Sequence, residues 1–121
     1  MMDLKSLYDV IFDKYALELP LYLVEAPEDA VFPYVVVQLV NSKTSEFASG
    51  KAFTDDSLVQ FNLFDKGPDC ADLMIAYGIL ATTFDFAELE GALSCIRENT
   101  MQTYVDGVWQ INVTYRIKER S

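Results

Sequence analysis

Two strand-like runs near the end of the chain are joined by Asp106-Gly107, and this pattern constrains the fold more than any other. An Asp-Gly pair between such runs is a strong signal for a two-residue type I′ turn. Residues 108–118 alternate between apolar and polar side chains, as a strand with one buried face does. The sequence therefore predicts an antiparallel hairpin of residues 96–105 and 108–118. The side chains expected on its buried face are Trp109, Ile111, Val113, Tyr115 and Ile117.

A two-residue turn also sets the register of this hairpin, and that register creates a conflict of charge. It places Arg97 opposite Arg116, and like charges directly opposite each other destabilise a strand pair. Three arrangements would relieve the repulsion: a β-bulge, a longer turn, or an acceptor group from another subunit. Otherwise the register differs from the one that a two-residue turn sets.

The preceding residues supply the other elements of an α+β domain. Two segments carry apolar side chains at helical spacing, residues 3–16 and about 70–83. Three strand-like runs are rich in aliphatic residues or alternate in polarity: 21–24, 32–40 and 58–64. We predict a single α+β domain over residues 1–121, with a mostly antiparallel sheet of about four or five strands and two helices packed on one face.

Both predicted helices have more apolar residues than one buried face needs. In the first, Val10 and Phe12 lie off the apolar stripe. In the second, Ile75 and Ile79 lie toward the side opposite the main apolar face. A helix that is apolar on two sides is packed on both or meets another chain. These four residues are therefore candidates for a subunit interface.

Residues 41–56 are mostly polar, but two phenylalanines, Phe47 and Phe53, interrupt them. A connection of this length is uncommon in a compact domain. It is a mobile loop, a hairpin whose strands extend into it, or a binding arm. In the last case Phe47 and Phe53 are interface anchors that become buried only on assembly.

The charge and the missing histidines exclude several classes of function. The chain has 9 Lys+Arg, 19 Asp+Glu and no His, with a formal net charge of −10. Without histidine there is no Ser-His or Cys-His nucleophile pair and no His-ligated metal. The negative charge argues against an electrostatic grip on nucleic-acid phosphates and against binding to an anionic membrane surface. We therefore expect no sequence-specific nucleic-acid partner and no membrane. We expect no catalytic activity, no metal and no cofactor.

The remaining candidate chemistry is weak. Cys70 and Cys95 are too few for a closed zinc site, and we expect free thiols in a reducing compartment. Carboxylate pairs such as Asp55-Asp56 are expected by chance among 19 acids. No apolar run approaches the 18 residues of a membrane span, and the first residues lack the apolar stretch of a signal peptide.

Three of the nine basic residues lie among the last six positions, namely Arg116, Lys118 and Arg120. These basic side chains either face water along the last strand or contact the acidic body of a neighbouring copy. A head-to-tail contact of the second kind builds rings.

Several segments together resemble the small tail-terminator or tail-completion proteins of long-tailed bacteriophages. The resemblance covers most of the chain and rests on LKSLYDVIFDKY, FPYVVVQLV, the polar 41–56 segment, VQFNLFDKG followed by DCADLMIAYGIL, and YVDGVWQINVTYRI. It implies a non-enzymatic virion protein that assembles as a ring, commonly of six subunits, at the head-proximal end of the tail tube. Its partners would be further copies of itself, the tail tube protein and the head connector. The protein would lie in the tail or neck of the virion, and in the cytoplasm of the bacterial host during assembly.

Three other functions stay open at this point. One is a related phage part: a head–tail adaptor, a neck protein or a minor capsid component. Another is a monomeric acidic binding module that imitates the charge of DNA. The third is a hydrolase that uses carboxylates or the two cysteines.

Overall fold

A computed structural model of the chain describes residues 4–15, 17–46, 53–68, 70–87 and 92–120. Within these ranges the chain forms two helices and five strands. In chain order they are α1 (Leu4–Lys14), β1 (Leu21–Leu23), β2 (Tyr34–Glu46), β3 (Phe53–Asp65), α2 (Ala71–Phe84), β4 (Ala92–Val105) and β5 (Val108–Arg120). The predicted α+β class is therefore confirmed.

The five strands form one sheet in the order β1-β2-β3-β5-β4. The short β1 runs parallel to β2, and every other neighbouring pair is antiparallel. This arrangement places β3 in the centre, β4 at one edge and β1 at the other. The sheet is thus mostly antiparallel, as predicted.

One face of the sheet carries the core, because the alternating strands turn their aliphatic and aromatic side chains to the same side. Val37, Phe61 and Val113 lie side by side in adjacent strands, and all three are buried. The residues that the helices bury, among them Ile11 of α1 and Leu80 of α2, belong to the same hydrophobic cluster. Both helices therefore cover this one face, as predicted.

The β2–β3 hairpin is longer than the apolar pattern indicated. Its backbone pairing continues from Tyr34↔Phe64 to Glu46↔Phe53, with a β-bulge between Leu39 and Asn41. Of the three alternatives for residues 41–56, the hairpin with extended strands is therefore observed for 41–46 and 53–56. Phe47 lies outside the described residues. Phe53 opens β3, and its side chain is also outside the described set.

The β4–β5 hairpin has the predicted turn and an adjusted register. Asp106 and Gly107 have φ values of 53° and 78°, as a type I′ turn requires. A bulge between Arg97 and Asn99 places Ile96 rather than Arg97 opposite Arg116. The expected repulsion is thus relieved by the first of the three arrangements considered, the bulge.

Candidate subunit interface

The outer side of α2 is apolar and exposed. The helix buries Leu73, Ala76, Leu80 and Phe84 against the sheet. On the opposite side Met74, Ile75 and Ile79 are 55%, 64% and 47% exposed. A helix that faces only water usually carries charged residues there. We call these three exposed side chains, together with Gly78 between them, the α2 outer face.

Gly78 makes the centre of the α2 outer face smooth. A Cβ atom added at this position would meet no atom of the described residues within 4 Å. The folded chain therefore gives no steric reason for glycine, although glycine in a helix interior costs about 1 kcal/mol relative to alanine. A close approach by another polypeptide would supply such a reason.

A groove lies beside the α2 outer face, where the segment after α1 passes the helix. Its volume is about 330 Å³, at the small end of the range for ligand pockets. The Tyr15 hydroxyl donates a 2.9 Å hydrogen bond to the carbonyl oxygen of Leu19 and holds this segment in place. The residues lining the groove are Leu17, Glu18, Leu19, Asp72, Ile75, Ala76 and Ile79.

The two α1 candidates differ in their surroundings. Val10 is half-buried and packs against the core of its own chain. Phe12 is 40% exposed. Of this pair, Phe12 therefore offers the larger free apolar surface to a partner.

The basic residues of β5 are partly engaged within the chain. The Arg116 guanidinium binds both carboxylate oxygens of Glu98, the residue at the β4 bulge, with an Nη2–Oε2 distance of 3.2 Å. This hydrogen bonding lowers the pKa of the Glu98 carboxyl. Lys118 is half-buried, and its backbone pairs with that of Asp56. Arg120 pairs through its backbone with Thr54, and its side chain lies outside the described set.

A polar cluster fixes the chain where α2 ends. The Tyr115 hydroxyl donates a 2.6 Å hydrogen bond to Asp85 Oδ1. Arg97 Nη2 lies 3.1 Å from Asp85 Oδ2, and Arg97 Nη1 also donates to the Tyr77 hydroxyl. The Tyr77 hydroxyl is also hydrogen-bonded to Thr100 Oγ1, at 3.0 Å. We call these residues the Asp85 cluster, and it ties α2 to β4 and β5.

Phe86 follows this cluster and projects from the surface. Its side chain is 78% exposed, and its φ of 57° is rare for a bulky residue. Two backbone hydrogen bonds maintain this conformation: Phe86 N to Cys95 O at 2.8 Å and Ala87 N to Phe84 O at 3.1 Å. Phe86 was not among the residues proposed from the sequence, because no periodic pattern covers the link in which it lies.

The structure does not favour thiol catalysis. Cys70 and Cys95 are both buried free thiols. Burial and the neighbouring Asp85 carboxylate raise the pKa of Cys95 to about 12, so this thiol is protonated at neutral pH. Among the described residues, no three His, Cys, Asp or Glu side chains could together hold a metal ion. The same part of the chain has no helix long and apolar enough to cross a membrane.

Comparison with known proteins supports the fold. No family model matches the chain. No curated protein matches it either. Among solved structures, the chain is similar to a protein in the virion of the native gene transfer agent (GTA) particle, with a TM-score of 0.68. The match covers 84% of this chain and 78% of that chain at 12% sequence identity. At this identity the likeness establishes a common fold.

Proposed function

We propose that this chain is a non-enzymatic structural protein of a phage-like virion. The observation that carries the proposal is the fold that it has in common with a protein of the GTA virion, over 84% of its length. The resemblance of its sequence segments to phage tail-terminator proteins supports the same reading. Within the virion, we propose that the chain forms a ring at the end of the tail tube and offers the surface that joins the head connector.

The α2 outer face supplies a physical basis for the lateral contacts of such a ring. Exposed Met74, Ile75 and Ile79 present apolar surface, and Asp72 lies at its border, in the groove beside Ile75 and Ile79. Burying apolar area on association is favourable by about 25 cal/mol per Å² before the costs of association are subtracted. We propose that this face, with Phe12 on α1, packs against the next copy.

We propose separate contacts for the remaining candidate interface residues, which are two phenylalanines and the basic residues of β5. We propose that Phe47 and Phe53, the residue at which β3 begins, contact the next copy or the tube. Truncating either residue to alanine should leave the fold intact and weaken assembly by about 1–3 kcal/mol if it is a hot spot. Lys118 and Arg120 would then meet acidic residues of the neighbour, with Arg116 contributing less because it binds Glu98.

The proposal is tested by polymerising the tail tube protein of the same virion with and without this chain. Electron microscopy should show tubes that stop growing and carry a ring of density at one end. Ile75→Glu should abolish capping, because it places a charge in the apolar contact. Val31→Glu is the matched control, since Val31 is also highly exposed but lies in the connecting segment before β2. Tubes that grow unchecked in the presence of the wild-type chain would refute the terminator role.

A further inference from the structure

β4 is an edge strand, and part of its backbone has no strand partner in the part of the chain that the structure describes. Its pairing with β5 ends at Val105↔Val108, the pair that closes the two-residue turn. In such a hairpin the closing pair is hydrogen-bonded, so every second residue turns its N–H and C=O away from the neighbouring strand. Counting back from Val105, the residues with outward backbone groups are Thr100, Gln102 and Tyr104.

The first half of β4 is protected at this edge, whereas nothing among the described residues protects the second half. The Phe86 N–H donates to the carbonyl oxygen of Cys95 at 2.8 Å, and the bulge between Arg97 and Asn99 follows. Bulges, charges, prolines and covering segments are the usual means of protecting an edge strand. Residues 99–105 contain no charge and no proline, and their pairing with β5 has no bulge. This seven-residue stretch is therefore ready to pair with another strand.

The opposite edge of the same sheet is open as well. β1 pairs only with residues 35–37 of β2. Two residues further along β2, the Tyr8 hydroxyl accepts a 2.9 Å hydrogen bond from the Leu39 N–H. Beyond it, residues 41–46 of β2 pair with β3 on one side and have no strand neighbour on the other within the described residues. The two open edges have similar lengths, six and seven residues.

Charge also favours a contact between these two edges. The chain carries a net charge of −10, so copies repel each other over most of their surface. Residues 99–105 have no charged side chain, and the two charges of residues 41–46, Lys43 and Glu46, cancel. These edges therefore let two acidic copies meet with a single carboxylate, that of Glu46, in the paired stretches. Met101 and Val105, both more than half exposed, add apolar surface to the β4 edge.

We infer that the β4 edge of one copy, residues 99–105, pairs with the β2 edge of a second copy, residues 41–46, so that the sheet continues from subunit to subunit. The contact joins two different surfaces, and head-to-tail contacts of this kind produce rings or filaments. The inference rests on the proposed ring and names the backbone contact that would hold its subunits together.

Gln102→Pro tests the contact directly. Proline removes the outward N–H of residue 102 and no hydrogen bond between β4 and β5, and edge strands tolerate such a proline. We expect the monomer to keep its circular dichroism spectrum, and the dissociation constant of the assembly, followed by native mass spectrometry over a concentration series, to rise at least tenfold. Gln102→Thr is the matched control, because it keeps the N–H and the strand propensity, and it should assemble like the wild type.

Hydrogen exchange on the wild-type chain keeps the test decisive if the proline variant fails to fold. The amides of Thr100, Gln102 and Tyr104 should exchange at least tenfold more slowly in the assembled sample than in the dilute monomer. The amides of Met101 and Thr103 bond to β5 in both states and serve as internal references. An assembly in which the three outward amides exchange as fast as in the monomer overturns edge pairing but leaves the ring proposal standing. A chain that stays monomeric at every concentration also overturns edge pairing, and tube capping then decides the ring proposal separately.

Discussion

The Tyr115→Phe substitution tests whether the Asp85 cluster stabilises the fold. Tyr115 is fully buried, and its ring packs 6.0 Å from both Phe61 and Phe84, measured between ring centroids. Phenylalanine keeps these ring contacts and removes only the hydroxyl group. The substitution therefore deletes the 2.6 Å hydrogen bond to Asp85 and creates almost no cavity.

The expected loss in the free energy of unfolding follows from the partner of this hydroxyl. A hydrogen bond to a charged group contributes about 1.5–3 kcal/mol. The Asp85 carboxylate keeps its ion pair with Arg97, and its side chain is 24% exposed, so water replaces part of the lost bond. We therefore expect a loss near the lower limit, about 1.5 kcal/mol.

Urea denaturation followed by circular dichroism measures this loss. The midpoint should fall while the slope with denaturant stays constant, because the same surface is exposed on unfolding. Tyr104→Phe is the control: Tyr104 is more than half exposed, and losing its hydroxyl should change stability by less than about 0.5 kcal/mol. If Tyr115→Phe were as stable as this control, the hydrogen bond between Tyr115 and Asp85 would not contribute to the stability of the fold.

Three further outcomes are expected. Burial and Asp85 raise the pKa of Cys95 from 9.0 to about 12, so folding favours the neutral thiol. Stability should therefore fall between about pH 9 and pH 12, by at most about 1.4 kcal/mol per pH unit from this group, and Cys95→Ala should make the decline shallower in urea titrations. Gly107→Ala should cost about 1–2 kcal/mol in the same assay, because its φ of 78° disfavours a Cβ; an unchanged midpoint would contradict the type I′ turn. Gly78→Ala should raise the melting temperature of the monomer, because helix propensity improves by up to about 1 kcal/mol and the new methyl group meets no atom of the described residues. A lower melting temperature would show that this site is not open.

The C-terminal hairpin was predictable because its signals are local. The Asp-Gly turn and the alternating residues of β5 lie next to each other in the chain and agree on one structure. The bulge was harder to foresee, since it depends on Glu98 reaching Arg116, 18 residues away. The sequence revealed only the conflict between Arg97 and Arg116 that a bulge could remove.

No hydrophobic pattern indicated that β2 continues past residue 40 or that β3 begins before residue 58. Strand prediction relies on apolar side chains that face a core, and residues 41–46 are polar or charged. For the candidate interface, the exposure of Ile75 and Ile79 follows from helical spacing. The groove beside them and the projecting Phe86 depend on how separate segments meet in three dimensions, and no local pattern reports that.

The distribution of charge narrows what can hold copies of this chain together. Ionic contact between subunits needs free bases, and the chain has only nine against 19 acids. Two of them, Arg97 and Arg116, already form ion pairs with Asp85 and Glu98 within the chain. The α2 outer face and the outward backbone of β4 need no bases, because apolar burial and backbone hydrogen bonds are indifferent to net charge. In a ring of acidic subunits as proposed, these two surfaces would therefore supply most of the attraction, while the carboxylates elsewhere would repel unassembled copies.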